Sequence, residues 1–186
     1  EIARDRKDLL EFDGVVTVGG DGLLFEVIQG LKVRPDKSSI YKKLTFGIIA
    51  AGSGNGLAKS ITHDLGEGYA ALECAFIVCK NRSKPADMAK FDTCVGKEWD
   101  AMLALSWGIV ADVDLESEVF RCLGPLRMDI YAVWRMIKLR KYTGKFSYLP
   151  IGAKDVEGGE ITELPPLDQP LGGEWKVIDG EFLTFW

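Results

Sequence analysis

Val15-Val16-Thr17-Val18-Gly19-Gly20-Asp21-Gly22-Leu23-Leu24 is the stretch on which the fold turns. Val15, Val16 and Val18 predict a short buried strand, Gly19 to Gly22 break it, and Leu23, Leu24, Val27, Ile28 and Leu31 then recur at the spacing of one helical face. The unit is a strand, a turn and a helix. A second copy follows, with a strand over residues 44–50, a glycine-rich turn over 51–56 and a helix opening over 57–62. Parallel strands need a crossover and helices supply it, so two such units in succession predict a parallel sheet flanked by helices.

Outward from this centre the pattern weakens. Residues 1–12 mix charges with Ile2, Leu9, Leu10 and Phe12, as expected for the end of a surface helix; residues 69–79 are another apolar stretch, and Pro85 marks a break. From Phe91 onward the segments are shorter, with strands expected at 99–110, 144–151 and 175–186 and a mobile loop rich in Gly, Pro and acid over 154–173. The expected class is α/β: a parallel-sheet nucleotide-binding domain over residues 1–88, then a mainly β second domain over 89–186.

Composition narrows the function classes. The chain has 186 residues, 47% of them apolar, enough for a core and too many for disorder as the main state. With 23 Lys and Arg against 28 Asp and Glu the net charge is -5, which disfavours a nucleic-acid coat, and no nucleic-acid partner is expected. The uncharged run 101–111 is about half what a bilayer-spanning helix needs. Cys74, Cys79, Cys94 and Cys122 are irregularly spaced and read as buried thiols in a reducing compartment, and His63 as a surface side chain in a polar loop. Because the chain starts at Glu1 and stops within strand-like sequence, it is expected to be a fragment lacking both ends.

Four segments carry candidate chemistry. Gly19-Gly20-Asp21-Gly22 lies where a strand ends and a helix begins, where backbone N–H groups and the helix dipole favour an anion; a tight turn with Asp21 capping its own helix is the plainer alternative. Ala51-Gly52-Ser53-Gly54-Asn55-Gly56 is a second such loop. It lacks the dinucleotide fingerprint, which would need glycine at Leu57, and it lacks the P-loop Gly-Lys-Ser/Thr. Both loops sit at carboxyl ends of neighbouring strands, where open α/β sheets bind ligands, so together they favour a nucleotide-phosphate site.

Asp112-Val113-Asp114-Leu115-Glu116-Ser117-Glu118 alternates acid with other residues, so an extended chain would put four carboxylates on one face. The glycine and final glutamate of a calcium loop are missing, leaving a solvated acidic edge or pairing with a cationic group in a pocket lined by Ile109, Val110 and Val113. Residues 127–145 interleave basic side chains with Ile130, Tyr131, Val133, Trp134, Ile137 and Leu139. They read as a basic amphipathic helix suited to a membrane surface or to packing within the second domain. Asp179-Gly180-Glu181 reads as a hairpin turn.

Taken together, Val15 to Leu23, Ala51 to Ala58 and Trp107-Gly108-Ile109-Val110-Ala111-Asp112-Val113-Asp114-Leu115-Glu116-Ser117-Glu118 resemble the sphingosine kinases, in the diacylglycerol kinase catalytic-domain superfamily. Arg121, Leu123-Gly124, Arg127 and Tyr148-Leu149-Pro150 extend the resemblance over roughly residues 13–152, and the tail matches weakly. The resemblance implies a two-domain lipid kinase that uses ATP and Mg2+ to phosphorylate the primary hydroxyl of a sphingoid base. It makes Asp21 the base that accepts the hydroxyl proton. Gly19, Gly20, Gly22, Gly52, Ser53, Gly54 and Asn55 would hold nucleotide, and Arg121 and Arg127 would meet its β- and γ-phosphates. Asp114 would bind the amino-alcohol head, with Ile109, Val110 and Val113 at the start of the acyl pocket. Ile130, Val133 and Trp134 would touch the bilayer while Arg135, Lys138 and Arg140 meet anionic headgroups.

This sequence departs from the family at Gly19, where serine is usual, at Phe25, where histidine is, and at Gln29, where asparagine is common. The family's first strand and its last strands would lie outside residues 1–186, so the isolated chain is expected to be inactive. Alternatives are a diacylglycerol or ceramide kinase, which gives Asp114 no amine to meet, and a catalytically silent nucleotide- or lipid-binding fragment. The expected location is the cytoplasm with reversible peripheral membrane association, and homodimer formation is left open.

Overall fold

The computed structural model describes residues 1–124, 126–150, 169, 171 and 173–186. The loop expected over 154–173 falls almost wholly outside the described residues, as does Ile151. The chain is mixed α/β and forms two compact units, Glu1–Ala104 and Leu105–Trp186.

The first unit is built around two parallel strands, β1 (Gly14–Gly19) and β2 (Thr45–Ala50), with a register running from Gly14 opposite Thr45 to Gly19 opposite Ala50. Both strands therefore end level, and both glycine loops leave the same end of the sheet. Helices α2 (Asp21–Lys32) and α3 (Lys37–Lys43) make the crossover between the strands. On α2, Leu24, Ile28 and Leu31 fall at successive steps of four and three, and this spacing buries all of them. Leu9, Leu31, Ile40 and Leu44 form one core cluster, joined by Val15, Val27 and Phe46. Helices α4 (Gly56–Asp64) and α5 (Ala71–Lys80) pack on β2, where Ile48, Ala58 and Cys74 form a second cluster.

Several expectations for this unit are corrected. In β1 only Thr17 is buried; Val16 and Val18, which point to the opposite face of the strand, are 47% and 62% exposed. Residues 1–12 do not form one helix: α1 (Ile2–Asp5) is short, and a 3-10 turn, Leu9–Glu11, follows. Arg34 accounts for the break. Its Nη1 donates to the carbonyls of Arg4 and Arg6 at 2.7 and 2.8 Å, while Nε and Nη2 grip the Asp36 carboxylate at 2.8 Å each.

The division between units also falls later than the texture break near residue 88. A hairpin of β3 (Ala89–Asp92) and β4 (Glu98–Ala101) belongs to the first unit. The Gln29 amide donates to the Asp100 carbonyl at 2.5 Å and accepts the Asp100 N–H at 3.3 Å, and Phe25 stacks on Trp99. Among the cysteines only Cys74 is buried; Cys79, Cys94 and Cys122 are exposed, each lying on an outer helix face or in a turn. His63 lies in the last turn of α4 and not in a loop.

In the second unit β5 (Trp107–Gly108) pairs antiparallel with β8 (Thr184–Phe185), and β6 (Tyr142–Tyr148) with β7 (Lys176–Phe182). Between β5 and β6 run α6 (Ile109–Glu116), a 3-10 stretch, Ser117–Leu123, and α7 (Leu126–Ile137). The single strand expected over 99–110 is instead two, β4 and β5, with residues 102–106 in neither, and β5 ends at Gly108, whose φ of 81° turns the chain into α6. Only glycine fits: its φ is left-handed, and a β-carbon there would also meet the Leu183 carbonyl and lie 2.9 Å from Thr184 Cα. Trp107 packs on Tyr142 and Phe182 with centroids at 5.4 and 5.9 Å. Asp179-Gly180-Glu181 is not a hairpin turn but the middle of β7, with Gly180 opposite Gly144.

Candidate active site

The two glycine loops of the first unit touch backbone to backbone. Ala51 N–H donates to the Gly19 carbonyl at 3.1 Å, and Asp21 N–H to the Gly54 carbonyl at 3.4 Å. The contact depends on missing side chains. A β-carbon on Gly52 would collide with Gly20 Cα and lie 2.6 Å from Gly20 N, and one on Gly20 would lie 2.7 Å from the Gly54 carbonyl oxygen.

Asp21 does not cap its own helix; α2 has no side-chain cap. Instead its Oδ2 accepts the Gly56 N–H at 2.7 Å and its Oδ1 the Leu57 N–H at 3.0 Å, so the carboxylate caps α4, the helix that opens from the other loop. A carboxylate at a helix N-terminus meets orphan donors and the positive end of the dipole. Asn55, at the N-cap position of α4, closes its own loop: Oδ1 accepts the Gly52 N–H at 3.0 Å and Nδ2 donates to the Gly52 carbonyl at 2.7 Å. Ser53 and Gly54 are exposed, and among the described residues their N–H groups donate to no protein acceptor. What remains is a carboxylate held by two backbone donors beside loop donors that have no internal use, which suits a polyanion and a proton acceptor side by side.

In the second unit, residues 112–118 are not extended. Helix α6 rotates successive acids apart, so Asp112 and Glu116, four residues distant, share a face and Asp114 leaves it. Asp112 is pinned: Arg135 Nη2 donates to it at 2.6 Å and the Tyr142 hydroxyl at 2.6 Å. Glu116 accepts from the Tyr131 hydroxyl at 2.6 Å and from Arg140 at 2.9 Å. These partners, the Tyr131 hydroxyl first, hold the Glu116 carboxyl below the usual carboxylate range, and hydrogen bonding to Glu116 raises both Tyr131 and Arg140. Asp114 is exposed and its carboxylate has no protein partner among the described residues; Val110 beside it is exposed, Ile109 and Val113 half-buried.

The arginines divide in the same way. Arg121 is 82% exposed with Glu118 at 3.3 Å as its ion-pair partner among the described residues, whereas Arg127 is buried, donating to Ser117 Oγ at 3.2 Å and pairing with Glu118 at 2.7 Å. Arg135, expected to face lipid headgroups, is buried by its pairing with Asp112, and Arg140 is engaged by Glu116. Ile130, Val133 and Trp134 are 52%, 53% and 41% exposed along one face of α7.

Sequence reasoning missed the cap across loops and the carboxylate network. The first joins residues 35 and 36 positions apart and leaves no local signal. The second had one: Asp112 and Glu116 at helical spacing, with Arg135, Arg140 and two tyrosines downstream. Among the described residues no three His, Cys, Asp or Glu side chains gather as a metal site.

The model of the diacylglycerol kinase catalytic domain matches residues 1–91. Among curated relatives, sphingosine kinase 1 of Mus musculus is 36% identical over 187 residues, 92% of this chain and 48% of the relative. Sphingosine kinase 1 of Arabidopsis thaliana is 35% identical over 100% of this chain and 41% of its own length. Sphingosine kinase 2 of Homo sapiens is 40% identical over 84% of this chain and 25% of its own. The chain spans about half the length, or less, of the curated relatives it matches.

Proposed function

Because this chain belongs to the diacylglycerol kinase catalytic-domain superfamily, we propose that it carries the phosphoryl-transfer machinery of an ATP-dependent sphingosine kinase. The reaction moves the γ-phosphoryl of ATP to the primary hydroxyl of a sphingoid base, giving the 1-phosphate and ADP. The observation that carries this reading is the Asp21 carboxylate, fixed by Gly56 and Leu57 N–H at the rim of both glycine loops. Each oxygen keeps a lone pair after accepting one bond, so Asp21 receives the proton that leaves the attacking hydroxyl. Transfer of this kind needs mainly positioning and charge neutralisation. Ser53, Gly54 and the backbone of Gly19, Gly20, Gly22, Gly52 and Asn55 hold nucleotide phosphate; Arg121, exposed on the second unit, is the cation that the family resemblance assigns to phosphate. Arg127 acts by holding Glu118, and so Arg121, in place. Mg2+, when bound, would be held chiefly by the nucleotide phosphates and would supply neutralisation of their charge, which asks few ligands of the protein.

The exposed Asp114 carboxylate, without a protein partner among the described residues, meets the ammonium and hydroxyl of the lipid head, with Ile109, Val110 and Val113 along its chain. That favours an amine-bearing lipid over diacylglycerol. Ile130, Val133 and Trp134 form the apolar face that reaches the bilayer from the cytosol. No described helix is long and apolar enough to cross a membrane.

The test is phosphate transfer from ATP to sphingosine and to diacylglycerol in parallel, by the gene's full-length product and its Asp21→Asn variant, with the 186-residue chain alongside. Transfer to sphingosine that vanishes in the variant is expected. Transfer only to diacylglycerol would overturn the role of Asp114, and transfer to neither would favour a silent binding module. The isolated chain is expected to show little or none.

A further inference from the structure

Asparagine is among the residues best suited to cap a helix, and Asn55 stands at the N-cap position of α4, yet its side chain makes no cap bond. The cap comes from Asp21, 35 positions upstream of the Gly56 N–H it accepts. Asn55 instead bonds both polar groups of Gly52, accepting from its N–H and donating to its carbonyl, a pairing that only one orientation of the amide satisfies. Resting on the kinase reading above, we propose that Asn55 is a positioning residue acting in two directions. By closing residues 52–55 into a ring it holds the Ser53 and Gly54 N–H groups free for nucleotide phosphate. By staying off α4 it leaves the Leu57 N–H, a donor that an N-cap side chain would take, to Asp21, so that phosphate loop and proton acceptor are set by one side chain.

Two measurements test this. In the full-length product, Asn55→Ala and Asn55→Asp are expected to raise KM for ATP about tenfold, the cost of roughly one good hydrogen-bonded clamp, while KM for sphingosine stays within twofold. A purely structural asparagine would lower the active fraction, and so kcat, and leave KM for ATP unchanged; that result overturns the proposal. The second measurement needs no activity. Asn55→Asp keeps the acceptor towards Gly52 N–H, but sets an oxygen against the Gly52 carbonyl and brings a second carboxylate to the α4 terminus that Asp21 already occupies.

Thermal melting is therefore expected to show Asn55→Asp lowering Tm in the wild type. In an Asp21→Ala background it should raise Tm by a few degrees, because the vacated Gly56 and Leu57 region accepts the new cap. An Asp21→Asn background, which keeps one acceptor, should give an intermediate effect. The same sign in all backgrounds would overturn the exchange of capping roles. Should the wild type transfer no phosphate to any lipid, the kinase reading falls, and the melting cycle alone then decides the exchange.

Discussion

Adding one methyl group at two glycines of the same site is expected to act in opposite directions. At Gly52 the new β-carbon would overlap Gly20 Cα, lie 2.6 Å from Gly20 N and lie 3.3 Å from the Gly54 carbonyl oxygen. All of these are backbone atoms, so no rotamer can yield; the loops must part, loosening the Ala51 to Gly19 and Asp21 to Gly54 bonds at 3.1 and 3.4 Å. Overpacking of this kind costs about 1–3 kcal/mol, and at ~4–8 °C per kcal/mol for a domain of this size Gly52→Ala should melt about 5–20 °C lower. At Gly22, inside the first turn of α2, nothing lies within 4 Å of an added β-carbon. There alanine removes chain entropy from the unfolded state and favours the helix by up to about 1 kcal/mol, so Gly22→Ala should melt a few degrees higher. Differential scanning calorimetry or tryptophan fluorescence reads both. If Gly52→Ala melted with the wild type, the loops would not be packed backbone on backbone, and the geometric basis for a joint site would be wrong. If Gly22→Ala raises Tm but also raises KM for ATP, the space it fills is space a phosphate uses.

Ile40, fully buried between Leu9, Leu31 and Leu44, should cost about 2–5 kcal/mol on truncation to alanine, read as a lower urea midpoint with unchanged slope. Replacing Arg135 by Met leaves Asp112 without its main partner and should destabilise the second unit by roughly 3 kcal/mol. The pair Asp112→Leu, Arg135→Met should recover much of that loss, and strict additivity would show that the two charges are not coupled. Acid should expose Glu116: its carboxyl is depressed in the folded state, so its contribution is present above the unfolded carboxylate value of about 4.3 and is lost as pH falls through the lower folded value. The Tm difference between wild type and Glu116→Gln should accordingly be present at pH 7 and shrink as acid is added below that range.

The strand, turn and helix units were legible because each rests on local chemistry. Valines before Gly19, glycines through Gly22 and leucines at helical spacing agree on one answer, and β1, α2, β2 and α4 lie where they point. Residues 112–118 misled for a definable reason: acids at positions 112, 114, 116 and 118 satisfy a period of two, while Asp114 with Glu118, and Asp112 with Glu116, also satisfy a helical step of four. Tertiary pairing chose the second, because Arg135, Tyr142, Tyr131 and Arg140 meet that face. The basic helix expected over residues 127–145 is a helix only as far as Ile137, with Tyr142 onward in β6, and its cations were misread, since charge on a sequence does not reveal which arginines are buried against acids elsewhere. At the glycine loops the residue types were visible and the wiring was not. Asp21 at the rim of the loops was legible as a site residue, with a cap on its own helix as the plainer alternative, but its bond to the second helix was not, because only the level ends of β1 and β2 bring that helix within its reach.

The pairing of β5 with β8 bears on the order in which the protein comes into being. Trp107 lies opposite Phe185, so the second unit can close only after nearly eighty intervening residues have emerged from the ribosome. The first unit needs no such wait: β1 finds β2 within a short crossover, and all its partners precede Leu105. During synthesis the glycine loops are therefore assembled while Trp107, Ile130 and Trp134 are still unpaired apolar chain, the kind of segment that chaperones hold and aggregates recruit. Slowing translation after residue 105 should leave the first unit protease-resistant and the second one digestible, until the strand that ends at Phe185 arrives to shut it.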